Sequence, residues 1–217
     1  MSLTLYFHPL SSFCQKALIA LYELEVPFEK RVVDLGDARD RAAFLEVWPL
    51  GKFPVVRDET RGITVPETSI IIEYVQRRHA PSSQLIPSDP DRAHVCRLRD
   101  RFFDLYVDVP MGKIVTDKLR PEGAHDPLGV EQARSQLETA YSIADEWLRE
   151  GPWAVGDTFT MADCAAAPAL FYANEVAPFA RDPRWTHLAA YWARLAERPS
   201  YARVANEAKP YMSMFPG

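Results

Sequence analysis

The chain has 217 residues, of which 47% are hydrophobic and 25% are charged, and its formal net charge is −5. This length supports one or two globular domains, and the acidic balance argues against a general nucleic-acid or membrane-surface binder. No stretch approaches the roughly 20 apolar residues that a membrane-spanning helix needs. The three cysteines, Cys14, Cys96 and Cys164, are far apart and form no C-x-x-C pair. We therefore expect a reducing cytoplasmic setting, without a disulfide framework or a metal site.

The first 80 residues alternate predicted strands and helices. In chain order we predict a strand at 3–7, a helix from residue 14 that ends before Pro27, a strand at 28–35, a short helix or turn at 41–49, strands near 54–57 and 63–65, and a helix at 68–79. The first strand, helix and strand predict a parallel pair with a crossover helix. The polar turn that ends in Gly62 predicts a hairpin. This βαβ-α-ββα order is that of the thioredoxin architecture, so we predict a thioredoxin-like α/β domain over residues 1–80.

The rest of the chain has a different pattern. Residues 81–88 are rich in proline and serine and are predicted to be a linker. Residues 89–217 are predicted to form an all-helical domain, with helices at 90–118, 127–150, 161–178, 187–200 and 201–208. The segment 161–178 is apolar nearly all round, which predicts a buried helix.

Four motifs follow one another along the chain: SSFCQKALIAL at 11–21, WPLGKFPVV at 48–56, PETSIIIEY at 66–74 and GDTFTMADCAAAPAL at 156–170. In this order and spacing the chain resembles the soluble glutathione S-transferase family, as a bacterial serine-type member. The family segments are S-x-x-x-x-[KR]-[VA], N-P-x-G-K-V-P, E-S-x-A-I-x-x-Y and G-x-x-x-[ST]-x-A-D. The chain departs from them at Trp48, Phe53 and Thr68, where the family usually has Asn, Val or Ile, and Ser.

The resemblance gives Ser11 the catalytic role, as a hydrogen-bond donor to the glutathione sulfur, with Ser12 as second choice. The thiolate is the nucleophile, and only about 3% of a thiol with a pKa of about 8.5 is ionised at pH 7. Lowering that pKa by about 2 units takes about 2.7 kcal/mol. A hydroxyl hydrogen bond to a charged acceptor contributes about 1.5–3 kcal/mol, and a helix N-terminus about 0.3–1 kcal/mol. One serine at a helix N-terminus therefore suffices, without a metal or a general base.

Other interpretations of this helix start stay open. Ser11 or Ser12 can be an ordinary N-cap. Cys14 can form a mixed disulfide with glutathione, as a cysteine near this helix does in some relatives, although its place on the apolar stripe favours an inward, packed thiol. His8 precedes the site and can line it, but we expect a strand-end residue rather than a catalytic one.

The resemblance assigns further residues to glutathione binding, namely Phe13, Lys52, Phe53, Pro54, Glu67 and Thr68. It implies a cis bond before Pro54, with the Phe53 backbone paired to the cysteinyl part like an added strand. Lys52 is expected to reach a carboxylate of the tripeptide, with a solvated loop lysine as the alternative. The helix that starts at Thr68 is expected to bind the γ-glutamyl carboxylate, and Glu67 the γ-glutamyl ammonium. An ordinary acidic helix start is the alternative there.

The hydrophobic electrophile is expected between the two domains. The resemblance and the aromatic pattern select Phe103, Tyr106, Pro110, Met111, Tyr172 and Tyr211, with plain core packing as the alternative for each. Thr160 and Asp163 have the spacing of a capping box, and for this pair we favour a structural role.

The resemblance implies a detoxifying, homodimeric, cytoplasmic glutathione transferase, in which glutathione is a co-substrate that attacks a hydrophobic electrophile. Organic peroxide reduction is an expected side activity. The first alternative is a glutathione-dependent isomerase or dehalogenase, since SSFC is similar to the S-S-C-x entry of the maleylacetoacetate isomerase class, although Phe13 stands at the cysteine position. The second is a non-catalytic ligand-binding protein of the same fold. We expect no nucleic-acid or membrane partner.

Overall fold

The computed structural model describes residues 3–216. Within the part up to residue 79 it has four strands and three helices, in the order β1 Leu3–Phe7, α1 Ser12–Glu23, β2 Glu29–Val32, α2 Ala38–Val47, β3 Val55–Asp58, β4 Ile63–Pro66 and α3 Thr68–His79. The predicted βαβ-α-ββα order is therefore confirmed.

The sheet has the strand order β2-β1-β3-β4. β1 runs parallel to β2 and antiparallel to β3, so that Leu5 lies between Lys30 and Val56. The predicted crossover pair and the β3–β4 hairpin are both confirmed. β2 is shorter than the predicted strand, because it lies at the sheet edge and its four residues are exposed. An edge strand pairs on one side only, which limits the length that is held in register.

The remaining part of the described chain is helical. Up to residue 216 the structure has α4 Pro90–Phe102, a π-helical turn Phe103–Asp108, α5 Val109–Lys118, α6 Pro127–Trp147, α7 Met161–Val176, α8 Thr186–Ala196 and α9 Pro199–Ala208, with short 3₁₀ turns at Pro183–Trp185 and Lys209–Met214. The predicted all-helical domain is confirmed. None of the helices between residues 3 and 216 is long and apolar enough to span a bilayer.

The long helix predicted at 90–118 is interrupted by the π turn. Pro110 has no backbone N–H and cannot continue the α-helical hydrogen-bond ladder. The N–H of Val109 instead donates to the carbonyl of Asp104, five residues earlier, which is the π-helical pattern. Pro199 acts in a similar way further on, where it begins α9 and separates it from α8.

One apolar core extends through both halves of the molecule. α1 packs against α3 and α7, and Leu18, Ile71 and Leu170 all belong to the same cluster of buried side chains. α7 is buried along most of its length, as its all-round apolar sequence predicts. The first helix is therefore fixed from two sides, by its own sheet domain and by the helical domain.

The start of α7 is held by Asp163, which is fully buried. Its Oδ2 accepts from the backbone N–H and the hydroxyl of Thr160, at 2.7 and 3.0 Å. Its Oδ1 accepts from the N–H of Ala154 and the hydroxyl of Tyr191, both at 2.7 Å. The predicted capping box is confirmed, and Asp163 also ties the preceding loop and α8 to α7.

Candidate functional site

The loop between β1 and α1 ends on the first of the candidate residues. Ser11 is the N-cap of α1, with an extended backbone, and its Oγ accepts a hydrogen bond from the N–H of Cys14 at 3.3 Å. An accepting hydroxyl uses a lone pair and keeps its O–H hydrogen free to donate to another group. The cap and the proposed sulfur contact are therefore compatible roles for one oxygen.

The thiol of Cys14 lies in the core behind this loop. Its side chain is completely buried, and its Sγ accepts from the N–H of His8 at 3.4 Å. Burial raises the pKa of Cys14 to about 12, against the hydrogen bonds from Ser11 and His8 that lower it. A thiol that stays protonated and inaccessible is a poor nucleophile. The inward packing expected from the apolar stripe is confirmed.

A cavity of about 230 Å³ opens beside the start of α1. Its lining comes from α1, from the loop before β3, from the end of β4 and from the start of α3, and consists of Phe13, Trp48, Leu50, Lys52, Phe53, Pro54, Pro66, Glu67 and Thr68. Six of the eight residues predicted to bind glutathione thus lie around one space. The other two, Ser11 and Ser12, stand directly before Phe13 in the chain. The Phe53–Pro54 peptide is cis.

Glu67 has an unusual backbone at the rim of this cavity. Its φ of 66° and ψ of 116° lie in a region that L residues rarely adopt. Such a conformation costs about 1–3 kcal/mol and persists where the surrounding structure enforces it, often at ligand sites. The next residue, Thr68, is buried and begins the 12-residue helix α3. The free N–H groups and the dipole of this helix start favour an anion in the cavity.

Aromatic rings close one side of the site. The ring of His8 stacks on Phe53 with a centroid distance of 6.0 Å and meets the edge of Tyr211 at 5.6 Å. Burial lowers the pKa of His8, although the charge of Asp34 partly opposes this. The imidazole is therefore neutral near pH 7. The sequence indicates that His8 lies near the site, because His8 closely precedes the serines. It does not indicate the ring contacts of His8, because Phe53 and Tyr211 are distant in sequence.

The six residues predicted for the electrophile differ in their surroundings. Tyr106 is well exposed, Tyr211 is partly exposed, and Pro110, Met111 and Tyr172 are buried. Phe103 packs against Phe102 and Tyr191 in the core, with 1% of its surface exposed. Phe103 and Tyr172, which exposes 2% of its surface, therefore offer almost no surface to an electrophile in this arrangement, and the assignment of all six residues stays a prediction. Helical spacing alone does not separate the side of the helix that lines a cleft from the side that packs.

The hydroxyl of Tyr172 links α7 to the loop between β1 and α1. It donates to the carbonyl of Leu10 at 2.9 Å and accepts from the side-chain amide of Gln15 at 3.0 Å. That amide also donates to the carbonyl of Pro9 at 2.8 Å. Tyr172 thus fixes the loop before Ser11 from the helical domain.

A buried ionic cluster lies under α1, and sequence reasoning missed it. The ammonium of Lys16 contacts both carboxylate oxygens of Asp104, at 2.9 and 2.8 Å, and Oδ1 of Asp100 at 2.7 Å. Ser69 joins the cluster by accepting from Lys16 at 3.0 Å and donating to Asp100 at 2.6 Å. The available sequence signals were a lysine within an apolar stripe and acidic residues four apart. Over residues 3–216 no group of acidic, histidine or cysteine side chains has the arrangement of a metal site.

Comparisons with known proteins agree with this geometry. Residues 5–83 match the family description "Glutathione S-transferase, N-terminal domain", and residues 114–199 match "Glutathione S-transferase, C-terminal domain". The glutathione S-transferase GstB of Escherichia coli (strain K12) is 25% identical over 207 residues, which cover 93% of this chain and 97% of that relative. The dichloromethane dehalogenase of Methylorubrum extorquens is 27% identical over 223 residues, which cover 95% of this chain and 75% of that relative.

A solved structure extends the likeness to three dimensions. A glutathione S-transferase from Methylobacillus flagellatus, crystallised with glutathione bound, superposes with a TM-score of 0.83 at 26% identity, over 94% of this chain and 98% of that chain. The two family descriptions together cover more than half of the chain, one on each domain. The protein belongs to the glutathione S-transferase family.

Proposed function

We propose that this protein is a serine-type glutathione transferase of the bacterial cytoplasm, which binds glutathione in the cavity beside α1 and transfers it to a hydrophobic electrophile. Residues 1–80 bind glutathione, residues 81–88 connect the domains, and residues 89–217 carry the electrophile site. The observation that carries this proposal is the convergence of six predicted binding residues on one cavity next to the Ser11 N-cap. The relative crystallised with glutathione supports the choice of co-substrate.

The catalytic step is the ionisation of the bound thiol. Ser11 donates its hydroxyl hydrogen to the glutathione sulfur, while the positive end of α1 adds a favourable field. These two contributions together match the roughly 2.7 kcal/mol that a shift of about 2 pKa units requires. The thiolate then attacks the electrophile and forms a thioether, and the same thiolate reduces organic hydroperoxides as a side activity.

The remaining cavity residues position the tripeptide. Glu67 pairs with the γ-glutamyl ammonium, and Thr68 with the N–H groups of α3 holds the γ-glutamyl carboxylate. The backbone of Phe53 pairs with the cysteinyl unit, and Lys52 reaches a carboxylate. Ser12, Phe13 and Pro54 complete the walls. The electrophile lies against Tyr106 and Tyr211, the two predicted residues whose rings have exposed surface, and the buried residues Phe103, Pro110, Met111 and Tyr172 pack behind them.

We infer that two copies form a homodimer, as the family resemblance implies. Exposed apolar side chains on α3, α4 and the π turn support this, because Ile70, Leu98 and Leu105 are 55%, 54% and 44% exposed. Large apolar side chains that are exposed in a single copy are compatible with a surface that a partner covers.

The test compares glutathione binding and turnover of 1-chloro-2,4-dinitrobenzene in wild type, Ser11→Ala and Ser11→Gly. Glycine loses the hydroxyl but retains most of the N-cap preference, so it separates catalysis from capping. We expect both variants to lose about a hundredfold in kcat, to lose the ultraviolet absorbance of bound thiolate and to keep their affinity for glutathione. Ser11→Thr, which retains a hydroxyl, is the matched control.

Other outcomes select the alternatives. If Ser11→Gly keeps the thiolate and the rate, the role proposed for Ser11 is wrong. Chloride release from dihalomethanes that exceeds the aromatic conjugation rate favours a dehalogenase, which the similarity to the Methylorubrum enzyme makes the second candidate. Tight glutathione binding without turnover of any electrophile favours a binding protein.

A further inference from the structure

Three buried acidic residues follow one face of the helical segment beneath α1. Asp100, Asp104 and Asp108 are four residues apart and expose only 1%, 4% and 7% of their surface. We call them the carboxyl row. The proposed function uses none of them, yet the row ends beside the helix start that holds the candidate serines.

The positively charged side chains near the carboxyl row form ion pairs with its first two residues, Asp100 and Asp104. Lys16 is itself 1% exposed and contacts Asp100 and Asp104, and the exposed Arg101 also reaches Asp104, at 3.1 Å. Within residues 3–216, the buried Oδ1 atom of Asp108 has no hydrogen-bond partner. A buried carboxyl without a full set of donors is a poor site for a negative charge.

The groups that face Asp108 come from three elements. Ser12 and Lys16 of α1 favour its charged form, whereas Asp104 of its own helix disfavours it. Tyr172 of α7 is the titratable group on the third side. Burial, which is the largest effect, raises the pKa of Asp108 to about 7. This carboxyl therefore exchanges a proton in the pH range in which a bound thiol ionises.

The π turn makes this place in the fold distinctive. Asp108 is the last residue of that turn, directly before the Val109–Pro110 pair that breaks the α-helical ladder. π turns are rare and are frequently found at functional sites. Ser12, the first residue of α1, lies next to Ser11 in the chain. Ser12 stands one helical turn before Lys16, and Asp108 stands one turn after Asp104, so the Lys16–Asp104 contact brings Ser12 towards Asp108.

We propose that Asp108 stores the proton that leaves the glutathione thiol and returns it to electrophiles whose products need one, with Ser12 as the relay. This inference rests on the proposed function and adds a proton-storing residue to its mechanism. In the first step the S–H bond breaks and its proton passes to Ser12 Oγ, while the Ser12 hydroxyl proton passes to the Asp108 carboxylate. The result is a thiolate and a neutral carboxylic acid.

The return step depends on the electrophile. When the thiolate opens an epoxide, an S–C bond forms, a C–O bond breaks and the electron pair stays on oxygen as an alkoxide. The Asp108 acid then delivers its proton along the same path and becomes a carboxylate again. An activated aryl chloride instead releases chloride, which needs no proton. Epoxides and enones are therefore the electrophile class that gains most from Asp108.

The first experiment counts the protons released when glutathione binds, using a weak buffer with a pH indicator. At about pH 8 Asp108 is mostly ionised in the free enzyme. The thiolate that forms on binding is a like charge, which raises the pKa of Asp108 further. The carboxylate therefore takes up a proton, and the wild type should release less than one proton per bound glutathione. Asp108→Asn should release about one, because it forms the thiolate but has no acceptor. At about pH 6 the difference should shrink, since Asp108 is already protonated in the free enzyme.

Matched variants control for nonspecific effects. Asp145→Asn removes another buried carboxyl, one that accepts from the N–H of Leu188 at 2.9 Å in the helical domain, and should leave the proton count at the wild-type value. Ser12→Ala should resemble Asp108→Asn, and Ser12→Thr should resemble wild type. Asp108→Ser is a second neutral variant if the asparagine variant does not fold.

Two results overturn the inference. Equal proton release by wild type and Asp108→Asn at about pH 8, with thiolate visible in both, rejects the storage role and leaves the proposed function intact. Bound glutathione without thiolate in wild type rejects both proposals.

The second experiment tests the electrophile class by comparing styrene oxide with 1-chloro-2,4-dinitrobenzene. General acid catalysis is typically worth about a hundredfold or more. We expect Asp108→Asn to lose at least about tenfold more kcat with the epoxide than with the aryl chloride. Equal losses with the two substrates, or a larger loss with the aryl chloride, contradict the proton return.

Discussion

Two buried aspartates, one at the start of α7 and one at the end of the π turn, differ in their hydrogen bonding. Asp163 is completely buried and accepts four hydrogen bonds from Ala154, Thr160 and Tyr191. Asp108 is 7% exposed, and its Oδ1 has no partner among the described residues. Burial raises the pKa of both carboxyls, so burial alone does not separate the structural carboxyl from the one that we propose as a proton store. The two differ in their donors. Hydrogen bonds to a carboxylate favour its charged form, and Asp163 accepts four of them whereas Oδ1 of Asp108 accepts none from the residues that the structure describes.

The largest effect is expected for Asp163→Ala. Removing one side chain leaves four buried donors without an acceptor, and each unsatisfied group costs about 1–3 kcal/mol. Partial relaxation lowers the sum, and we expect a loss of about 4 kcal/mol in the free energy of unfolding. Chemical denaturation measures it. A variant that unfolds at the wild-type denaturant concentration, or that loses glutathione affinity while fully folded, would contradict a purely structural Asp163.

Asp108→Asn should show an effect of comparable size and opposite sign, and one that depends on pH. The pKa of Asp108 is raised to about 7 in the folded protein, from about 3.9 in an unfolded chain. Between these values the folded state binds more protons, so the wild-type free energy of unfolding falls as pH rises from about 4 to about 7.

Asparagine does not titrate, so the stability of Asp108→Asn should rise relative to wild type across that window, by about 4 kcal/mol in all for a pKa difference of about 3 units. The free energy of unfolding of both proteins, measured at several pH values, gives the difference. Parallel pH curves for the two proteins would show that Asp108 keeps an ordinary pKa.

Tyr191→Phe removes only one of the four donors to Asp163. The carboxylate keeps its bonds to the Thr160 N–H, the Thr160 hydroxyl and the Ala154 N–H, so the expected loss is about 1 kcal/mol. Thermal unfolding of the single and double variants completes a cycle with Asp163→Ala. If the two losses add fully, the Tyr191–Asp163 hydrogen bond contributes nothing to stability.

Cys14→Ala should have the smallest effect on turnover. The thiol is buried and its pKa is raised to about 12 by that burial, so kcat/KM should stay within about twofold of wild type. The lost packing should cost about 1 kcal/mol of stability. Steady-state kinetics with glutathione tests this, and an inactive but folded variant would favour a mixed-disulfide mechanism instead.

Much of the fold could be predicted because its signals are local. The short strand segments, Pro27 after α1 and the turn at Gly62 each act within a few residues. The Thr160–Asp163 spacing also predicted the capping box, since both partners lie within one helical turn. The two further donors to Asp163, from Ala154 and Tyr191, could not be predicted from the sequence, because they depend on how the preceding loop and α8 pack on α7.

The candidate site could be predicted only in part, for the same reason. The serines, the Phe53–Pro54 pair and the Glu67–Thr68 pair belong to short motifs whose order is visible in the sequence. The burial of Lys16, the orientation of Phe103 and the π turn result from contacts between elements that are many residues apart. Aromatic or acidic residues that recur with the helical period are predicted to share one side of a helix. Only the packed structure shows whether that side lines a cleft, contacts a charged side chain or packs in the core.

The hydroxyl bridge of Tyr172 to Leu10 and Gln15 bears on how such an enzyme can be re-engineered. Any chimera that exchanges the C-terminal half for that of a relative also exchanges the support of the loop that carries Ser11. Under the proposed function we therefore expect substrate preference and nucleophile activation to change together in recombination libraries, and we expect grafts that retain a tyrosine opposite Gln15 to dominate the active clones.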